Sequence, residues 1–418
     1  MTSSAKSILS AIGPGIIYAA AAVGISHLVQ STRAGADYGL TMTVIMLVIF
    51  LLKYPALRFG ADYAAITGDN LIDSYYRQGH WVIYIFTGVT LLTMLFVMAS
   101  LSLVTAGLFK ALLNLTLPDI LVAGILLAAG SIILIYGHYR LLELLSKILV
   151  PIFSLFILIT TVILIPEINW SGANFLAPEI DTRTLVSIVL LAGFMPTPVD
   201  GSVLQSLWTC AKFKDAGTRF PISSVRVDFN IGYVTSLVLA FCFLLMGTVV
   251  LHNSGVQLAN NSGAFASQVI SLFTTAIGGW AYPLIAVSAF TVMLSTLLTI
   301  LDGYPRTIAT VFDKLSPANK LSAYFNRNLN LIIVLNSIGS IIIMLFLMKS
   351  FQAFIDLTSA LVFITAPLFA VLNHRAIFGA DIPKAYMPGR LMRIWSLTGI
   401  IVMAVIALMY IYLVMLVQ

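Results

Sequence analysis

Long apolar runs separated by short polar and mostly basic connections run the whole length of this chain. A helix that crosses a bilayer needs about 20 mainly apolar residues. On that criterion spans fall at 11–32, 40–60, 81–109, 119–137, 144–165, 185–209, 229–251, 271–301, 328–348, 353–373 and 394–416, eleven in all. The run at 271–301 holds Gly278-Gly279 and Pro283 and is expected to begin as a short interfacial helix. Two of the spans are interrupted. The first breaks at Val23-Gly24-Ile25-Ser26-His27, and the sixth at Phe194-Met195-Pro196-Thr197-Pro198. Polar groups at mid-depth cost several kcal/mol unless partnered, so a lipid-facing helix has no use for such a break. Backbone lining a protected polar cavity does. Two broken spans in corresponding positions point to a transporter binding site.

Composition agrees with the pattern. Hydrophobic residues make up 60% of the 418 and charged residues 9%, with a mean hydropathy of +1.03. A soluble domain carries roughly 25% charged residues. With the N-terminus in the cytoplasm, only Arg33, Lys110, Arg183 and Lys349 of the 22 lysines and arginines fall on the outer side. The net charge of +6 is then a topology signal of the positive-inside kind and implies no nucleic-acid partner. The expected setting is the plasma (inner) membrane, multi-pass, with the C-terminus outside and the lipid bilayer as partner. The leading MTSSAKS is read as a retained cytoplasmic tail.

Five spans per unit make the second unit run in the opposite sense. The expected architecture is an all-α integral membrane protein of LeuT type, with 11 transmembrane helices in a 5+5 inverted repeat and the first and sixth helices broken. Residues 1–165 form the first repeat, 166–373 the second, and 374–418 the connecting loop and last helix. Cys210 and Cys242 lack CxxC spacing, no cofactor is called for, and no HExxH or GxSxG motif points to an enzyme.

At a helix break, unpaired N–H and C=O groups face the cavity. The first break adds the Ser26 hydroxyl and the His27 imidazole. The second adds the Met195 thioether, the Thr197 hydroxyl and the Asp200 carboxylate. Imidazole, thioether and carbonyl suit a metal of intermediate softness; carboxylate, hydroxyl and carbonyl suit a hard cation. The mixed set leaves the ion open. Each residue also has a plainer role: His27 hydrogen-bonded in packing, Met195 in the core, Asp200 pairing or capping. Lys53, Arg58 and Asp62 read as snorkelling or pairing near the inner end of the second span. Asp302 reads as a helix cap or gate, and Asp356 as a partner of Lys349.

The two breaks also carry a resemblance to the Nramp (SLC11-type) divalent-metal transporter family. Gly13-Pro14-Gly15, Arg33-Ala34-Gly35-Ala36-Asp37-Tyr38-Gly39, Leu57-Arg58-Phe59-Gly60 and Thr67-Gly68-Asp69-Asn70-Leu71 resemble its first two helices. Tyr139-Arg140-Leu141-Leu142-Glu143 resembles the start of its fifth, and Met195-Pro196 its sixth. The resemblance implies alternating access and a metal site between the first and sixth helices, with Ala192 (carbonyl) and Met195 (thioether) retained. It also shows departures. The family's Asp-Pro-Gly-Asn signature falls on Gly24-Ile25-Ser26-His27, and its Met-Pro-His-Asn on Met195-Pro196-Thr197-Pro198. The third span, Trp81 to Lys110, holds no Asp or Glu, where relatives carry an acidic proton route. The expected function is therefore divalent-cation transport through an altered site, with altered or absent proton coupling. Gly24, Ser26, His27, Ala192, Met195, Thr197 and Asp200 bind substrate on this reading, and Met195, His27 and Ala192 bind the metal. Alternatives are a small organic (amine- or amino-acid-like) solute as cargo, or a non-transporting membrane sensor.

Overall fold

A computed structural model describes residues 11–136, 139–168, 175, 178–179, 181–256, 258–315 and 329–417, and of 139–150 and 417 the backbone alone. Lys6, Lys320 and Arg327 of the charge count lie outside the described residues, as do the side chains of Arg140 and Lys147. The described regular structure is entirely helical. The chain runs α1 (Pro14–Ala22), a π-helical stretch (Ser26–Ser31), α2 (Thr32–Tyr38), α3 (Met42–Thr67), α4 (Leu71–Gln78), α5 (His80–Leu113), α6 (Asp119–Ile135) and α7 (Tyr139–Leu164). It continues through α8 (Thr182–Phe194), α9 (Gly201–Ala216), α10 (Ile222–Gly247), α11 (Ser262–Ile277), α12 (Tyr282–Leu315), α13 (Leu329–Leu347), α14 (Phe351–Ile377) and α15 (Arg390–Val417).

All eleven expected spans fall largely on helix. Among the described residues, seven helical stretches are long and apolar enough to cross a membrane. The run at 271–301 does begin with a helix distinct from its main span, and that helix is longer than the run shows. This helix, α11, starts ten residues earlier at an Asn261 cap, whose side chain accepts from Ala264 N at 2.8 Å. Gly278, at φ 110°, ends α11 and lets the chain turn into α12. α15 sits on the outside, with Leu391, Leu408 and Leu416 more than half exposed, as suits a lipid-facing surface.

α10 holds both halves of the first broken span. A Cβ on Gly15 would lie 2.0 Å from the Asp228 carbonyl oxygen, and one on Gly232 2.1 Å from the Gly15 oxygen. The other half repeats the device: Gly35 against the Leu244 oxygen at 2.1 Å, and Gly247 against the Thr32 oxygen at 2.3 Å. Backbone meets backbone at two places, which is how membrane helices gain packing where burial from water is no driving force. The Asp228 carboxylate also accepts from Gly13 N (2.9 Å) and Gly15 N (2.6 Å), satisfying donors at the start of α1. Gly232→Val is expected to cost about 3 kcal/mol by overpacking, read as a lowered Tm of the purified protein.

Candidate functional site

The two breaks interrupt the helical hydrogen-bond ladder in different ways. α1 stops at Ala22; Gly24 N turns back to Ala22 O at 2.7 Å, and the chain re-enters helix through the π-helical stretch. In the other break α8 ends at Phe194, the Met195–Pro196 peptide is cis, and helix resumes only at Gly201. Pro196 and Pro198 stand where the i+4 N–H donors for Ala192 O and Phe194 O would be. Carbonyls at the end of α8 are thus left to find partners elsewhere.

Lys53 supplies one. Its side chain leaves the middle of α3 and is 1% exposed. The ammonium donates to the carbonyl oxygens of Ala192, Met195 and Thr197, each at 2.8 Å, with Gly193 O at 3.4 Å. An ammonium has three protons, and three good acceptors use them all. The expectation that Lys53 snorkels or pairs with Asp62 is therefore corrected. Asp62 instead pairs with Arg226 (2.8 Å) and Arg58 (3.0 Å).

A cavity of about 50 Å³ lies beside the two breaks. Ser26, Thr197 and Asp200 line it, with Tyr18 and Tyr304 adding phenol groups. The rest of the wall is mostly apolar or aromatic, including Ile25, Val97, Leu101, Phe194, Leu204 and Trp208. Asp200 is the one charged side chain on this wall among the described residues; Tyr304 donates to its Oδ2 at 3.0 Å, and Lys53 is near enough to interact with it electrostatically. Thr197 Oγ1 donates to the Tyr18 hydroxyl at 3.4 Å.

The structure thus gathers Ser26, Thr197 and Asp200 at one cavity and places the other candidates differently. The His27 ring is fully buried and turned to α10: Nε2 lies 2.8 Å from Ser236 O, and Nδ1 2.7 Å from both Ala22 O and Ser26 Oγ. Both nitrogens are engaged by protein, so the ring does not line the cavity. Gly24, Ala192 and Met195 are buried next to the cavity rather than on its wall, and the carbonyls of the last two are taken by Lys53. Among the described residues no group of three His, Cys, Asp or Glu could hold a metal ion. Asp356 pairs with Arg33, not with Lys349; with Gln30 Nε2 donating to Ser359 Oγ at 2.8 Å, this ties the far half of the first span to α14. Asp302 pairs with Arg306 at 2.5 Å.

Sequence reasoning missed Lys53, Tyr18, Trp208 and Tyr304. For Lys53 a signal existed, since an ionisable residue deep in an apolar span is a functional candidate by default. The phenols and the indole carry no such signal, because aromatic residues in apolar helices are mostly packing.

Two broken helices that meet beside one cavity, in an all-helical chain, define the LeuT-type fold. Solved structures agree. A mutant of the Eremococcus coleocola manganese transporter superposes with a TM-score of 0.74 at 16% identity, over 96% of this chain and 86% of that one. MhsT in complex with L-phenylalanine gives 0.64 at 13% identity, over 96% and 97%. A nucleobase-cation-symport-1 family transporter with bromovinylhydantoin bound gives 0.58 at 13% identity, over 96% and 92%. In sequence, an uncharacterized protein of Pasteurella multocida (strain Pm70) is 31% identical over 369 residues, 87% of this chain and 84% of its own. Residues 15–414 match the family described as natural resistance-associated macrophage protein-like, and the chain belongs to this Nramp family.

Proposed function

We propose that the chain is a secondary transporter working by alternating access, and that its altered site suits a small organic solute better than a dehydrated divalent metal. The observation that carries this is the Lys53 ammonium, 2.8 Å from the carbonyl oxygens of Ala192, Met195 and Thr197. A dehydrated divalent ion at the second break would need those oxygens and would face a full positive charge instead. At an effective dielectric near 20, a +2 ion about 4 Å from an ammonium is opposed by roughly 8 kcal/mol. Gly24 offers no carboxylate to offset this, and His27 is committed to Ala22 and Ser236.

The cavity supports the alternative cargo. Its apolar and aromatic wall with a few hydroxyls and one carboxylate is the usual make-up of an organic-ligand site. The charges of Asp200 and Lys53 balance, which favours a solute of no net charge, zwitterions included. The E. coleocola relative is described as a manganese transporter, whereas two further proteins of this fold are described with L-phenylalanine or bromovinylhydantoin bound. The absence of Asp and Glu from the span Trp81–Lys110 supports altered or absent proton coupling. The lysine and arginine asymmetry supports a cytoplasmic N-terminus in an inner membrane.

Trp208 on the cavity wall reports binding. Small neutral and zwitterionic solutes are screened with a chelator present, beside Mn²⁺, Fe²⁺, Mg²⁺ and Ca²⁺ without one. An organic solute is expected to change Trp208 fluorescence and raise Tm saturably, and Asp200→Ala to weaken it at least tenfold. A chelator-reversible response to a metal, with none to any solute, would return the cargo to the metal class.

A further inference from the structure

We propose that Lys53 is a tethered ammonium ion filling a monovalent-cation site built from the main chain of the second break. The cage consists of three carbonyl oxygens at 2.8 Å, from Ala192, Met195 and Thr197, with Gly193 O at the margin. It exists because the helix is interrupted between Phe194 and Gly201, and Pro196 withdraws the helical donor of Ala192 O, so these oxygens are not taken up by an i+4 backbone N–H. The charge that satisfies them arrives from another element, α3, on a stem long enough to reach across the packing. Among the described residues no carboxylate forms an ion pair with the ammonium. Its partners are neutral dipoles, the ligand type that rings of backbone carbonyls use to hold monovalent cations. A divalent ion generally recruits carboxylates as well. Asp200 stands nearby with the one balancing negative charge, itself held by Tyr304.

The cage adjoins the cargo cavity, sharing Thr197 with its wall, but its charge does not come from that wall. Its ion comes from α3, whereas no α3 residue is on the cavity wall. The protein thus carries in covalent form a cation that would otherwise be bound from solution, and its second break needs no free ion to stay assembled. Removing the amine while leaving the carbonyls opens a site for ammonium, short alkylammonium and alkali cations.

The test is a chemical rescue on the purified full chain. Lys53→Ala is titrated with ammonium, methylammonium, propylammonium, Na⁺ or K⁺ chloride, against choline chloride at matched ionic strength. The expected result is a saturable rise in Tm of about 2 °C or more with at least one small cation, no rise with choline, and no cation-specific rise for the native chain. Should Lys53→Ala not be recoverable, Lys53→Gln is titrated the same way, because its amide can satisfy two oxygens at most and leaves the charge missing. Response to none of the small cations beyond choline, or an equal response in the native chain, overturns the proposal. Organic-solute binding is read on the native chain through Trp208, so loss of the cargo reading leaves this outcome unaffected.

Discussion

The double substitution Gly24→Asp with Lys53→Met is expected to bind Mn²⁺ with a Kd of about 1 µM, where the native chain binds it more weakly than about 1 mM, a gain of ~4 kcal/mol. Lys53→Met keeps most of the stem's volume and frees the oxygens of Ala192, Met195 and Thr197. Gly24→Asp restores the carboxylate that the Nramp signature has at this place. The fit is tight: a Cβ on Gly24 meets Thr296 Cγ2 at 3.2 Å, so that side chain has to shift by a few tenths of an ångström, with Ala21 O and Leu101 Cδ2 in ordinary contact at 3.6 Å. Gly24→Asp alone is expected to gain little, since the ammonium remains to repel the ion. On the family signature alone, in which one missing aspartate explains the altered site, the single substitution would be enough. Isothermal titration of the native chain, both single variants and the double variant checks it. Tight Mn²⁺ binding by the native chain would show that Lys53 leaves the cage when metal arrives.

Asp62→Ala is expected to be the most destabilising change on the α3–α10 contact, by about 3 to 5 kcal/mol. The Asp62 side chain is fully buried, and each of its oxygens is used. Arg226 reaches Oδ1 at 2.8 Å and Oδ2 at 3.1 Å, and Arg58 reaches Oδ2 at 3.0 Å. Removing the carboxylate leaves two guanidinium groups, partly buried, facing one another without their shared partner. Asp62→Asn, which keeps the shape and one acceptor, should lose less. Thermal unfolding of both variants in one detergent gives the comparison, and an Asp62→Ala protein as stable as the native chain would show that the cluster is held by other contacts.

Much of this architecture was legible in the residues alone. Apolar run length locates the spans, because a bilayer sets one length for every crossing helix. The breaks are legible for a related reason: Gly24 and Pro196 sit in apolar runs where a continuous helix would be cheaper. Ser26, Thr197 and Asp200 follow from the breaks, being the polar side chains beside them. His27 did not follow, because position next to a break does not give direction. The π-helical stretch turns the ring to Ser236 on α10, some two hundred residues away in sequence, and no local pattern records that partner.

Lys53 shows the division most plainly. Composition and periodicity point to an all-helical membrane protein, broken twice, with a lysine towards the inner end of its second apolar run, and the quoted motifs add the resemblance to the Nramp family. They say nothing of where that lysine ends, since a long flexible stem can carry its charge to a lipid headgroup, to Asp62 or across to another helix. Only the packing of α3 against the second break brings the ammonium within hydrogen-bonding distance of three carbonyls that the interrupted helix leaves without i+4 partners. A charge inside a membrane takes whatever partner the tertiary contacts supply, and no local pattern records that partner.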